Sequence, residues 1–128
     1  MSVHLILPSS EVSRLWSNGP HWLLQLSAAT AQLQLAETGS VWGHLNGVTL
    51  TFRDARLEGD AELAIGTLAE CELHLNGQPL RHLDMPCELN GRVVCTLGFH
   101  NGTELQLVAT GLSSPRADLD RFRESMAC

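Results

Sequence analysis

Residues 91–111 constrain the fold more than any other stretch, because their pattern fixes both strands of a hairpin and its register. Large apolar side chains occupy every second position on both sides of residues 100–102. Such alternation is typical of strands with one buried face. A three-residue loop pairs Leu97 with Leu105 and puts Gly102 at the left-handed loop position, whereas a two-residue loop would mix the faces. We therefore predict a hairpin with a three-residue loop.

Alternation recurs elsewhere, and five Asn-Gly dipeptides, at 18, 46, 76, 90 and 101, mark turns. Two-residue turns are predicted at Asn46-Gly47 and at Asn76-Gly77, where the latter pairs Leu73 with Leu80. The apolar positions then change parity, which predicts a bend near 81–82. Strands do not alternate with long helices, so a parallel sheet is disfavoured.

Two segments are predicted to be helical. In residues 10–17, Val12, Leu15 and Trp16 have i, i+3, i+4 spacing, which predicts a short N-terminal helix. In residues 115–127, a Ser-Pro start precedes an apolar stripe, which predicts a C-terminal helix and a possible interface; its members are Leu119, Phe122 and Met126.

These patterns predict one mainly all-β domain over residues 1–128. We expect a single antiparallel β-sandwich or flattened barrel of about 8–10 strands built from hairpins, with the two helices attached. The chain has 128 residues, enough to bury a sizeable core. It lacks an apolar run long enough for a transmembrane helix and a basic, apolar N-terminal leader, so we expect a cytoplasmic location.

The charge balance restricts the class of partner. The net charge is −6, and the eight basic residues, all arginine, are dispersed along the chain. Nucleic acid and anionic membranes are therefore not expected, whereas a basic protein surface matches better. A homodimer through an edge strand or the late helix is possible.

No catalytic or metal-binding motif stands out, and we predict no cofactor and no metal site. Cys71 and His74 are three apart, so in a strand they point to opposite faces and cannot chelate one ion. A Cys–His nucleophile pair, such as Cys71 with His82, is the least favoured function. The four cysteines have no C-x-x-C spacing and are expected to be reduced thiols. Three of them, Cys71, Cys87 and Cys95, are expected to be small core residues.

Two surfaces are candidates for binding. The alternation of side chains along the strand places Trp42 on a polar face beside His44. A tryptophan on such a face is typical of an anchor residue in a protein interface. A second, mostly acidic face carries the candidate residues Glu70, Glu72, His74 and Arg81.

In size, acidity and abundance of hairpins the chain is similar in kind to small bacterial immunity or inhibitor proteins. That resemblance implies a non-enzymatic domain that binds a basic protein partner through the acidic or Trp-bearing face. The alternative from another class is a β-barrel that holds a small apolar ligand.

Overall fold

The computed structural model describes residues 2–36 and 39–125 and is mainly antiparallel β-structure, as predicted. Its ten strands are β1 (Ser2–Asn18), β2 (His21–Leu35), β3 (Gly39–Arg53), β4 (Arg56–Glu58), β5 (Gly66–Leu75), β6 (Gln78–Leu80), β7 (Leu83–Met85), β8 (Cys87–Phe99), β9 (Glu104–Ser114) and β10 (Phe122–Glu124). The only helical elements of these residues are two 3-10 turns, Ala61–Leu63 and Leu119–Arg121. No helix among them has the length and apolar character needed to cross a membrane.

Six strands close into a barrel in the order β3-β2-β1-β5-β8-β9, with β9 pairing back onto β3. The four short strands are attached to this ring: β4 pairs with β9, β6 with β5, β7 with β1, and β10 with β3. Of the two predicted architectures, a sandwich or a flattened barrel, the molecule adopts the barrel. Its interior is filled by apolar side chains, mostly leucines, with Phe52 the largest fully buried one.

The barrel wall consists of two three-stranded sheets that meet along two short lines of pairing. Strands β1, β2 and β3 pair along most of their length, as do β5, β8 and β9. Between the two sheets, β3 pairs with β9 only over residues 51–53. On the other side, β1 pairs with β5 only at Glu11–Thr67 and Val12–Gly66. Because β1 and β5 pair at only two positions, the barrel wall has a gap between the remaining parts of these two strands.

The hairpin predicted from residues 91–111 forms with the expected register. Leu97 lies opposite Leu105, and the Phe99 backbone N–H donates to the Thr103 carbonyl across a three-residue loop. Gly102 has a φ of 90°, the left-handed conformation that such loops favour. The turn at Asn76-Gly77 is also confirmed, since Leu73 pairs with Leu80.

The predicted N-terminal helix over 10–17 is wrong, because these residues continue strand β1. Val12 pairs with Leu26, but Arg14 pairs with Gln25, so Ser13 is an extra residue in the strand. This β-bulge lets Val12 and Leu15 both face the core although they are three apart. The spacing that resembled one helical face is therefore a strand with one inserted residue.

The predicted C-terminal helix over 115–127 is also wrong within the described residues. Asp118 caps the 3-10 turn through a hydrogen bond to the Asp120 N–H, and the chain then extends as β10. Phe122 lies opposite Leu45 at the free edge of β3. Pairing with an open strand edge satisfies backbone groups that a surface helix would leave there exposed, so the tertiary context overrides the helical pattern. Met126 lies outside the described residues.

The two-residue turn predicted at Asn46-Gly47 does not form, because β3 runs straight through it. Leu45 and Val48 are both buried, as a hairpin would require. In the barrel, the inward-facing positions of β3 shift from odd to even numbers at this point. The paired strand β2 shifts at the same place, since Leu26 and Ala29 are also both buried and the pairing register stays constant. Gly47 takes the distortion with a φ of 73°. The distortion shared by these two paired strands therefore produces the same sequence pattern of buried residues that a hairpin turn would produce.

Candidate functional site

The candidate site is a gap in the barrel wall between β1 and β5, and it originates in residues 7–10. Pro8 has no N–H to donate to a ladder, and Ser9 has a φ of 71°. Among the described residues, this segment pairs with no neighbouring strand. Buried Ser10 holds the distortion in place, because its hydroxyl donates to the Ile6 carbonyl and accepts from the Thr30 N–H. Along this irregular segment β1 is therefore not paired with β5.

Residues 78–85, which we call the strap, cross this gap. At one end, strap strand β6 pairs with β5 through Leu73 and Leu80. At the other end, strap strand β7 pairs with β1 through Leu5 and Leu83. The bend predicted near 81–82 lies between the two pairings. The strap therefore closes the gap only partly.

A cleft of about 370 Å³ remains between β1, β5 and the strap. Its apolar lining is provided mainly by leucines: Leu5, Leu7, Leu73, Leu80 and Leu83. Its polar lining consists of Glu72, His74, Arg81 and His82. A volume of this size, an apolar lining and a few polar groups are typical of small-molecule sites.

Three of the predicted site residues, Glu72, His74 and Arg81, lie together in this cleft. Glu70 lies outside it, exposed on β5 and opposite Gly98 of β8. Arg81 is exposed and makes no ion pair within residues 2–36 and 39–125. The cleft is therefore lined by a guanidinium without an ion partner among these residues and by leucines, of which Leu80 is partly exposed and the other four belong to the core.

The structure places the other predicted surface on the opposite wall. Trp42 and His44 lie on β3, which is three strands away from β5 in either direction around the ring. Trp42 is 48% exposed and lies opposite Gln32 of β2. No single compact contact can therefore include both Trp42 and the cleft. Of the expected helical interface, Leu119 is 40% exposed, whereas Phe122 packs against the core.

Among the cysteines, Cys95 is a poor candidate for the nucleophile of a Cys–His pair. Cys71 and His82 both line the cleft, but the Cys71 Sγ lies 4.0 Å from the Cys95 Sγ. The hydrogen bond with Cys71, together with burial, raises the pKa of the Cys95 thiol well above its ordinary value. A raised pKa keeps this thiol protonated, and the protonated form is a poor nucleophile.

A cluster that the sequence interpretation missed lies where the strap meets β1. The His4 Nδ1 is 2.7 Å from the Asp84 Oδ1, and the His82 Nε2 is 3.6 Å from the same oxygen. The two imidazole rings meet edge to face, with centroids 4.4 Å apart. The i, i+2 spacing of His82 and Asp84 was a usable signal, but His4 is 78 residues from His82 and joins them only through the β1–β7 pairing.

Comparison of the chain with protein-family models, curated proteins and solved structures gives no match. The resemblance to immunity proteins and the cytoplasmic location therefore stay predictions. Function has to be inferred from the geometry of the barrel itself.

Proposed function

We propose that the protein binds a small apolar molecule with an anionic end in the cleft between β1, β5 and the strap. The observation that carries this proposal is the cleft itself, which is lined by leucines and by Arg81, a residue without an ion pair in the part of the chain that the structure describes. The site lies in the barrel wall, not in the barrel interior that the sequence-based alternative implied, because the interior is occupied by core side chains.

The chemistry of the lining supports an amphipathic ligand. Burial of an apolar chain against leucines contributes roughly 25 cal/mol per Å² of apolar surface removed from water. A guanidinium favours a carboxylate, with which it forms paired charge-assisted hydrogen bonds. Glu72, on the same rim, disfavours a second negative charge. A monocarboxylate with an apolar tail fits this arrangement best.

Competition binding tests the proposal, with the fluorescent apolar anion 8-anilino-1-naphthalenesulfonate as reporter and decanoate and decanol as competitors. We expect decanoate to displace the reporter. Arg81→Ala should weaken decanoate about tenfold, the usual scale of one charge-assisted hydrogen bond, while decanol changes little. Arg56→Ala removes another exposed arginine, on β4, and should match the wild type. Equal decanoate affinity in wild type and Arg81→Ala would contradict the assignment.

The exposure of Trp42 supports a second candidate function, a non-enzymatic protein-binding domain that contacts a basic partner. A half-exposed indole on a polar strand face is typical of an interface anchor. The net charge of −6 favours a basic surface on the other protein. Because β3 and β5 lie on opposite walls, this surface is tested separately from the cleft.

Capture from a source lysate with wild-type and Trp42→Ala protein, read by quantitative mass spectrometry, tests this second function. A protein that binds this face should be basic, and Trp42→Ala should capture severalfold less of it than the wild type does. Glu72→Ala, on the opposite wall, is the control and should capture the same protein undiminished. Identical capture by wild type and Trp42→Ala would rule out Trp42 as an anchor.

A further inference from the structure

His4, His82 and Asp84 form a cluster of potential metal ligands at the junction of the strap and β1. The ligating atoms of these three side chains all lie within 4.8 Å of one another. Two imidazoles and one carboxylate form a donor set that is typical of zinc sites with three protein ligands and one water.

We propose that His4, His82 and Asp84 bind one zinc ion, which ties the strap to β1. Ligand atoms at 2.0–2.1 Å from a tetrahedral zinc ion are about 3.3 Å from one another. The observed separations of 2.7 and 3.6 Å from the Asp84 Oδ1 lie on either side of this value. The third separation, between the two imidazole nitrogens, is within 4.8 Å, so rotation of the side chains, with no change in the backbone, would bring the three ligand atoms around one ion.

The backbone holds these side chains in position before any ion binds. His4 and Asp84 are directly opposite in the β1–β7 ladder, so their side chains project from the same face. The Asp84 carbonyl accepts a hydrogen bond of 2.6 Å from the hydroxyl of buried Ser114, which fixes β7 against β9. His82 precedes Asp84 by two residues and reaches the same carboxylate oxygen. The backbone thus brings the three residues together, and the side-chain torsions are what the ion has to order.

The exposure of the cluster is consistent with an open fourth position. The side chains of His82 and Asp84 are 49% and 65% exposed, so water can complete the coordination shell. His82 also lines the cleft, which places the ion at the cleft rim. An ion bound only to the folded state stabilises it increasingly as the zinc concentration rises.

The experiment is calorimetric titration of the full chain with zinc chloride, accompanied by absorption spectra with cobalt(II) as a substitute. We expect one ion per chain and a cobalt spectrum without the intense near-ultraviolet band of thiolate ligands. His82→Ala and Asp84→Asn change exposed side chains and should each weaken zinc at least about a hundredfold, because even outer-shell partners of a metal account for 10–100-fold.

Controls separate this site from other histidines and from the cleft. His100→Ala removes an exposed histidine of the β8–β9 loop and should bind zinc as the wild type does. Arg81→Ala should also bind zinc as the wild type does. The proposed zinc site and the proposed carboxylate site can therefore be contradicted independently of each other. Zinc should raise the melting temperature of the wild type but not of His82→Ala. Absence of saturable zinc binding, or undiminished binding by His82→Ala, would overturn the proposal.

Discussion

At the scale of single residues, Gly43 is the position where the absence of a side chain matters most for the C-terminal segment. Strand β10 runs so close to β3 that a Cβ added at Gly43 would overlap the Arg123 carbonyl oxygen and the ring of Phe122. The φ of Gly43 is not in the left-handed region, so the requirement is for space and not for backbone freedom.

Gly43→Ala should therefore lower the free energy of unfolding by about 1–3 kcal/mol, the usual cost of overpacking. Urea denaturation followed by circular dichroism measures this difference. The matched control is Gly98→Ala on β8, where the added Cβ would meet the Glu70 Cβ at 3.6 Å, an ordinary contact. That variant should be neutral or slightly more stable, because alanine reduces the entropy of the unfolded chain. Equal destabilisation by both substitutions would contradict the close approach of β10.

At the scale of elements, β10 protects a strand edge. On the side away from β2, β3 pairs with β9 only at residues 51–53 and with β10 at residues 43–45. Removal of β10 would leave backbone donors and acceptors of β3 available to another chain. This edge is where the possible homodimer of the sequence interpretation would form if the segment were displaced.

Truncation after Asp118 removes β10 and should cause self-association. Size-exclusion chromatography with light scattering should give a larger mass per particle than for the full chain, increasingly so at higher concentration. Truncation after Ser125 keeps β10 and serves as the control, with the same assembly state as the full chain. A truncated protein that matches this control would show that the edge of β3 is protected in another way.

The elements also show how far the sequence predicts this fold. The β8–β9 hairpin and the Asn76-Gly77 turn were predictable because local alternation and turn chemistry agree in each. The strand at 10–17 was not, because the extra Ser13 converts period two into an apparent helical spacing. The end of the chain was not predictable either, since the free edge that recruits Phe122 is made by residues nearly eighty positions earlier.

At the scale of the whole molecule, the candidate site was only partly visible in the sequence. Glu72 and Arg81 flank one tight hairpin, so their proximity in the cleft followed from local register. The contribution of Leu5 and Leu7, and the approach of His4 to Asp84, depend on how β1 returns to the strap around the closed ring. Closure of the barrel also places Trp42 and the acidic face on opposite walls. The alternation of side chains along the sequence could not show whether the two belonged to one surface.

The two-sheet construction of the wall makes the protein resemble an assembly of two partners within one chain. One partner is residues 2–53 and the other is residues 66–114, and the segment between them contributes only the short strand β4, which pairs with β9, and a 3-10 turn. A cut in that segment ahead of β4 would interrupt no strand, and the two fragments would share a common core and four short ladders. The natural chain connection thus acts as a tether that sets a high effective concentration of one sheet for the other.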